Sequence, residues 1–248
     1  MKTRVQLTCI GTGDAFGSGG RLNSCYHLGT GRQQVLLDCG CSSLIGLHRY
    51  GYDPAELDAV IISHLHGDHF GGLPFLFLEG KFVSQRQRPL TLIGPPGLQQ
   101  QAASALEVLY PGAIGKGVGF PLHYSVLDPE NALLFGELTI HCCRVIHGNS
   151  TEAYALRVDV AGKSLCYTGD TEWTDNLLSL VAGTDLMIAE CFAFAEPIPS
   201  HLDYQTLKQR QADLGCKRLM LTHLGPEMLA RRDEVDLEIL NDGDLIEL

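Results

Sequence analysis

Ten residues constrain this chain more than any others: Ser63-His64-Leu65-His66-Gly67-Asp68-His69-Phe70-Gly71-Gly72. They follow an unbroken apolar run, Ala59-Val60-Ile61-Ile62, of the kind that forms a buried strand. A strand that gives way to glycine-containing sequence delivers the histidines onto a loop at its C-terminal end. Four side chains able to bind a metal then fall within six positions. His64 and His66, two apart, can approach one ion, while Asp68 and His69 are placed to turn toward a second. Imidazole and carboxylate together suit zinc, and also manganese or iron. This stretch is a metal site.

The 248 residues suffice for a sizeable core, and 1–248 reads as a single domain. No apolar run approaches the roughly 18 residues of a membrane helix. The start, Met1-Lys2-Thr3-Arg4-Val5-Gln6-Leu7-Thr8, is too polar for a signal peptide. Nine cysteines, an odd number without a CxxC pair, indicate reduced thiols in a cytoplasmic protein rather than a disulfide framework. With 18 basic residues against 29 acidic ones the net charge is −11, which argues against a generic nucleic-acid-binding surface.

Strands are expected at 5–10, 90–93, 121–127, 137–146, 154–160, 163–167, 186–189 and 218–222, with a hairpin over 23–38 turning at Gly29-Thr30-Gly31. Helices are expected at 42–50, 73–78, 98–110, 173–181 and 203–214, the last closed by Gly215. Asp53-Pro54-Ala55-Glu56 has the form of a helix start. Residues 111–120, with four glycines and a proline, suggest a mobile loop beside the cleft. Hairpins come first in each half and helices intervene singly. That pattern gives two mixed sheets face to face with helices outside, a layered α and β protein.

Further candidates stand where strands stop. Asp38 ends Val35-Leu36-Leu37, His147 follows Val145-Ile146, Asp170 ends Thr168-Gly169, and His223 ends Leu221-Thr222. Individually each is an ordinary polar strand end. Jointly they complete the cluster at 64–69 with the ligands two dications require.

The full set, from Gly11-Thr12-Gly13 through Asp38-Cys39-Gly40, HxHxDH, His147, Thr168-Gly169-Asp170 and Thr222-His223, resembles the metallo-β-lactamase superfamily. Within it, the chain is similar to the ribonuclease Z-like phosphodiesterases. That resemblance implies an α/β (α+β) fold, a four-layer αββα sandwich, with the site along one edge of the two sheets. Carried across by position, it implies that His64, His66 and His147 hold one metal, Asp68, His69 and His223 the other, and that Asp170 bridges. Two divalent ions, zinc first, are the implied cofactor. Asp38 resembles the family's carboxylate that orients a ligand histidine. Glu190 reads either as another such carboxylate or as half of a buried salt bridge. His201 resembles the non-ligand histidine that contacts the phosphate.

The implied chemistry is attack on a phosphodiester by a hydroxide shared between two dications, with Asp68 and His201 as the catalytic side chains. Ribonuclease Z proper has a long arm between the residues matching His147 and Asp170, and here only a short hairpin, 151–167, separates them. A small or cyclic diester substrate is therefore expected ahead of transfer RNA, with no membrane partner and with the homodimer common among related enzymes. Competing readings are a transfer-RNA 3′ endonuclease, a thioester or lactone hydrolase of the same fold, and a catalytically silent metal-binding scaffold. Glyoxalase II is disfavoured by the 25 residues after His223. The β-lactamases are disfavoured by Asp170 where they carry cysteine, and the di-iron oxidoreductases by His66 where they carry an acid.

Overall fold

The computed structural model describes residues 4–148 and 152–248; Met1 to Thr3 of the polar start, and Thr151 at the head of the 151–167 hairpin, lie outside the described residues. Strands β1 (Gln6–Gly11), β2 (Cys25–Gly29), β3 (Gln34–Leu37), β4 (Ala59–Ile61), β5 (Leu90–Gly94) and β6 (Leu122–Val126) form one sheet. A second holds β7 (Leu133–Phe135), β8 (Leu138–Arg144), β9 (Tyr154–Val160), β10 (Lys163–Tyr167), β11 (Leu186–Glu190), β12 (Leu219–Thr222) and β13 (Glu238–Ile239). The last strand, β14 (Leu245–Glu247), returns to the first sheet and pairs antiparallel with β1. Each sheet opens with antiparallel pairs, β1 to β3 and β7 to β10, and continues in parallel, β3 to β6 and β10 to β13. Both are therefore mixed, as the order of hairpins and single helices implied.

The apolar runs are unbroken because both faces of these strands are covered. Val35, Leu37, Ala59 and Ile61 point into the core between the sheets, where they meet Leu156, Leu165 and Tyr167 from the second sheet. Their neighbours Leu36, Val60 and Ile62 point outward beneath α1 (Ser43–Arg49), α3 (Leu73–Phe82) and α4 (Leu98–Leu109). On the far side Cys166, Met187 and Leu221 lie beneath α5 (Asn176–Val181), α6 (Tyr204–Leu214) and α7 (Pro226–Ala230). Three cores thus separate four layers, helix, sheet, sheet, helix. In α4 the buried side chains Leu98, Ala102 and Leu106 recur every four residues. Each large one contributes about 1.5–3 kcal/mol on burial.

Two local expectations are corrected. Asp53-Pro54-Ala55-Glu56 makes one 3₁₀ turn, Pro54–Glu56, and no more. The Asp53 side chain does accept from the Ala55 amide, but Leu57 reverts to extended backbone and is drawn into the core at the entry to β4. The 111–120 loop does not border the cleft. It folds against α3, where Lys81 Nζ donates to the Lys116 carbonyl at 3.1 Å, and it lines a separate apolar cavity of about 500 Å³ with Phe77 and Leu106. By contrast α6 follows the sequence closely, with Asp203 accepting from Thr206 N at 2.8 Å and Gly215 left-handed at φ 65°. No helix among the described residues is long and apolar enough to cross a membrane.

Candidate metal centre

The carboxyl ends of six strands converge on one edge of the sandwich: β3 leads to Asp38, β4 to His64, β8 to His147, β10 to Asp170, β11 to Glu190 and β12 to His223. In mixed sheets of this kind that edge is where ligands bind. The 64–69 stretch is not loop throughout. After His66 the chain makes a single helical turn, α2 (Gly67–Phe70), which carries Asp68 and His69 on backbone anchored to the preceding hairpin. Cys39 N donates to the His69 carbonyl at 2.7 Å, and a Cβ on Gly40 would stand 2.1 Å from the Asp68 carbonyl. Only glycine allows that approach, which explains the Gly in Asp38-Cys39-Gly40.

The structure brings the candidate ligands together in two groups, His64 with His66 and His147, and Asp68 with His69, Asp170 and His223. In the first, His147 Nε2 lies 2.9 Å from His66 Nδ1, and the rings of His64 and His147 meet edge to face at 4.6 Å. In the second, His69 Nε2 is 3.3 Å from Asp68 Oδ2 and 3.2 Å from Asp170 Oδ1, while His223 Nε2 is 3.2 Å from Asp68 Oδ2 and 3.4 Å from Asp170 Oδ2. Asp170 also reaches toward the first group, with Oδ2 3.9 Å from His147 Nε2. It stands between the two.

The surrounding bonds fix which nitrogens point inward. Asp38 Oδ2 accepts from His69 Nδ1 at 2.7 Å, and the same carboxylate takes Ser63 N, Ser63 Oγ and the Tyr167 hydroxyl. Ser63 spends its one proton on Asp38, so at 3.1 Å His64 Nδ1 must donate to the Ser63 oxygen. His147 Nδ1 donates to the Ser200 carbonyl at 2.7 Å. In each case the other nitrogen is the one turned toward the cluster. Buried polar atoms rarely go unpaired. Yet His64 Nε2, His69 Nε2 and Asp170 Oδ1, all on the cluster side, are buried without a hydrogen-bond partner. Orphaned imidazole and carboxylate atoms grouped at ligand spacing fit a metal centre.

The two groups differ electrically. Burial and the neighbouring His69 push His64 well below its usual range, and burial likewise lowers His147. Burial opposes charge on His69 and His223 too, but there Asp170 overrides it and both rise. The carboxylates Asp68 and Asp170 are held far below their usual range despite burial, chiefly by His223 and His69. Asp38, Ser200 and His223 adopt left-handed backbone, φ 59°, 72° and 56°. That conformation costs non-glycine residues about 1–3 kcal/mol each, and it gathers here at the site.

His201 lies against this cluster, 19% exposed, its ring stacked on Phe192 at 4.8 Å and on His223 at 5.7 Å. Glu190, expected to orient a ligand histidine or form a salt bridge, faces His201 Nδ1 at 3.1 Å and accepts from Thr171 N at 2.6 Å. Burial, then Asp170, pushes its carboxyl well up. The cavity that His201 borders is about 230 Å³ and includes Ala15, Phe16 and Phe192 in its lining. Sequence reasoning did not single out Ser63, Tyr167, Thr171, Phe192 or Ser200. Tyr167 had a usable signal, an aromatic residue ending a strand directly before Thr168-Gly169-Asp170; Ser63, Thr171 and Ser200 act through backbone or short hydroxyls and leave none, and the Phe192 ring meets His201 only through the fold.

Fold and His/Asp cluster together are those of a metallo-hydrolase of the metallo-β-lactamase fold. Over residues 5–243 the sequence matches the family described as Anti-Pycsar protein Apyc1, and the chain belongs to that family. It is 29% identical to the probable metallo-hydrolase YhfI of Bacillus subtilis over 89% of this chain and 87% of that one. The crystal structure of YhfI superposes with a TM-score of 0.79 over 99% of this chain and 100% of that one. A ribonuclease Z of Mycobacterium bovis is 27% identical over 74% of this chain and 69% of its own length. Human short-form tRNase Z shares the fold at a TM-score of 0.79 and 23% identity, covering 97% of this chain and 98% of that one. The protein is a metal-dependent hydrolase related to ribonuclease Z.

Proposed function

We propose that residues 1–248 form one hydrolase domain that cleaves small phosphodiesters, cyclic or nucleotide-derived, at a binuclear centre. His64, His66 and His147 would hold one dication, Asp68, His69 and His223 the other, with Asp170 shared and zinc the first choice of metal. Bound there, the two ions supply a water of lowered pKa and positive charge opposite the phosphoryl oxygens. The observation that carries the reading is the pair of ligand groups divided by Asp170, with His201 on the cavity side. Asp68 borders the cavity, and its carboxylate would accept a proton from the attacking water. His201 is fixed by Glu190 and Phe192 and directs its Nε2 side away from Glu190. It would donate to a phosphoryl oxygen, and in its protonated form to the leaving oxygen. Asp38 and Tyr167 hold His69 against rotation.

Small substrates are favoured because no lysine or arginine lines the site cavity, and several cationic side chains are engaged elsewhere. Arg21 donates to Thr12 Oγ1 and the Leu240 carbonyl, Arg144 pairs with Glu152, Lys208 with Asp236 and Arg210 with Asp213, and none of them borders the site cavity. A long RNA gains affinity from several phosphate contacts, each adding to the salt dependence. The proposal carries a cytoplasmic location, supported by nine free thiols, and the homodimer common among related enzymes. Its test compares kcat/KM for a small diester with cleavage of, and competition by, a 3′-extended transfer RNA at low and physiological salt. Preferred turnover of the small diester with feeble competition is expected. Efficient, accurately placed transfer-RNA cleavage at physiological salt would overturn it.

A further inference from the structure

Two residues beyond Asp170 stands Glu172, an acid with no part in the ligand set. Its backbone is tied to the segment that carries His147: Glu172 N donates to the Ile146 carbonyl at 2.9 Å, and Ile146 N donates to Thr171 Oγ1 at 3.1 Å. Its side chain reaches the other way. Glu172 Oε1 accepts from Ser200 N at 2.7 Å. Ser200 is one of the left-handed residues, φ 72°, a conformation that a side-chain-bearing residue keeps only when its surroundings impose it. A carboxylate accepting from that amide is a strong, directional restraint of this kind.

The conformation so imposed has two visible consequences. It turns the Ser200 carbonyl onto His147 Nδ1 at 2.7 Å and sets Ser200 Oγ to accept from Gly148 N at 3.1 Å. The Nδ1–H bond fixes the His147 tautomer and ring, leaving Nε2 for the cluster. Ser200 has its amide on an acid from the Asp170 turn and its carbonyl on a histidine from the β8 end. It also sets the chain direction into His201. We propose that Glu172 is a positioning residue. By holding Ser200 left-handed it orients His147, and so governs the cation affinity of the His64/His66/His147 group in particular, an inference that rests on the two-ion reading above.

The test has two readouts. Histidine-ring nitrogen NMR on the metal-free protein reports the His147 tautomer; a hydrogen-bonded Nδ1–H is expected in the wild type and in Glu172→Gln, whose amide oxygen still accepts, and its loss in Glu172→Ala. Stepwise competition with a zinc chelator reports the ions. Glu172→Ala should weaken one ion about 10–100-fold while the other stays within about threefold, and Glu172→Gln should stay within about threefold for both. Adding Ser200→Gly to Glu172→Ala should recover part of the loss, because glycine takes positive φ without support. If Glu172→Ala does not fold, Glu172→Asp, too short to reach Ser200 N, replaces it. Retention of the wild-type ring signal and both affinities in the shortened variant would overturn the proposal, as would equal weakening of both ions. A wild-type protein that takes up fewer than two ions would contradict the binuclear reading instead, and the metal-free NMR comparison would still decide the role of Glu172.

Discussion

His64, His66 and His147 meet as three imidazoles, and the outer partners of His64 and His147 are neutral, a serine hydroxyl and a backbone carbonyl. His69 and His223 meet two carboxylates, Asp68 and Asp170, and His69 leans on a third, Asp38. The same residue type therefore behaves oppositely a few ångströms apart. Burial keeps His64 and His147 neutral, whereas Asp170 draws charge onto His69 and His223. For a dication the contrast reverses into affinity: the carboxylate-rich half offers it compensating charge, the imidazole half only lone pairs. Under the proposed assignment the ion of the imidazole half should leave first when a chelator is raised.

The strongest way to break this comparison is to remove the residue the halves share. Asp170→Ala leaves two cations with no anionic screen between them, so metal analysis should find much of both ions gone and diester turnover down about a thousandfold or more. Full occupancy in that variant would refute the bridging role. A smaller effect separates metal binding from chemistry. His201 touches both halves, stacking on His223 and meeting His147 edge to face at 5.1 Å, yet it is assigned no coordination bond. His201→Ala should keep both ions and lose about a hundredfold in diester turnover; wild-type turnover with both ions present would make it a bystander. The finest cut is Tyr167→Phe, which takes one donor from Asp38 and touches only the carboxylate half. Chelator competition should show the ion of that half loosened by about tenfold and the other unchanged. Equal loosening of both would mean that the halves are not independently supported.

Much of this architecture could be read in advance because strand ends punctuate the sequence. Asp38, His147, Asp170 and His223 each terminate an apolar run, and a residue that ends a buried strand has few places to go but the sheet edge. The mixed sheets were legible for a related reason: hairpin turns at Gly29-Thr30-Gly31 and before Lys163 declare antiparallel neighbours, and single helices between strands declare parallel ones. What escaped was anything set by tertiary backbone. Ser200 matters through an amide and a carbonyl that every residue possesses, and its left-handed φ has no compositional mark. Glu190 is legible as an acid at a strand end, but its partner, His201, is eleven residues on, and nothing local says which histidine it faces. The packing of the 111–120 loop against Phe77 and Leu106 is not legible either, because glycine content speaks of turns and not of where a turn packs.

The central claim is a phosphodiester hydrolase that needs both halves of its cluster. It is tested most directly by titrating metal-free protein with zinc while following hydrolysis of bis-p-nitrophenyl phosphate. The carboxylate-rich half should fill first with little turnover, and the rate should climb with the second equivalent and level off at two ions per chain. A rate that saturates at one equivalent, or no hydrolysis at any zinc level, would contradict the account.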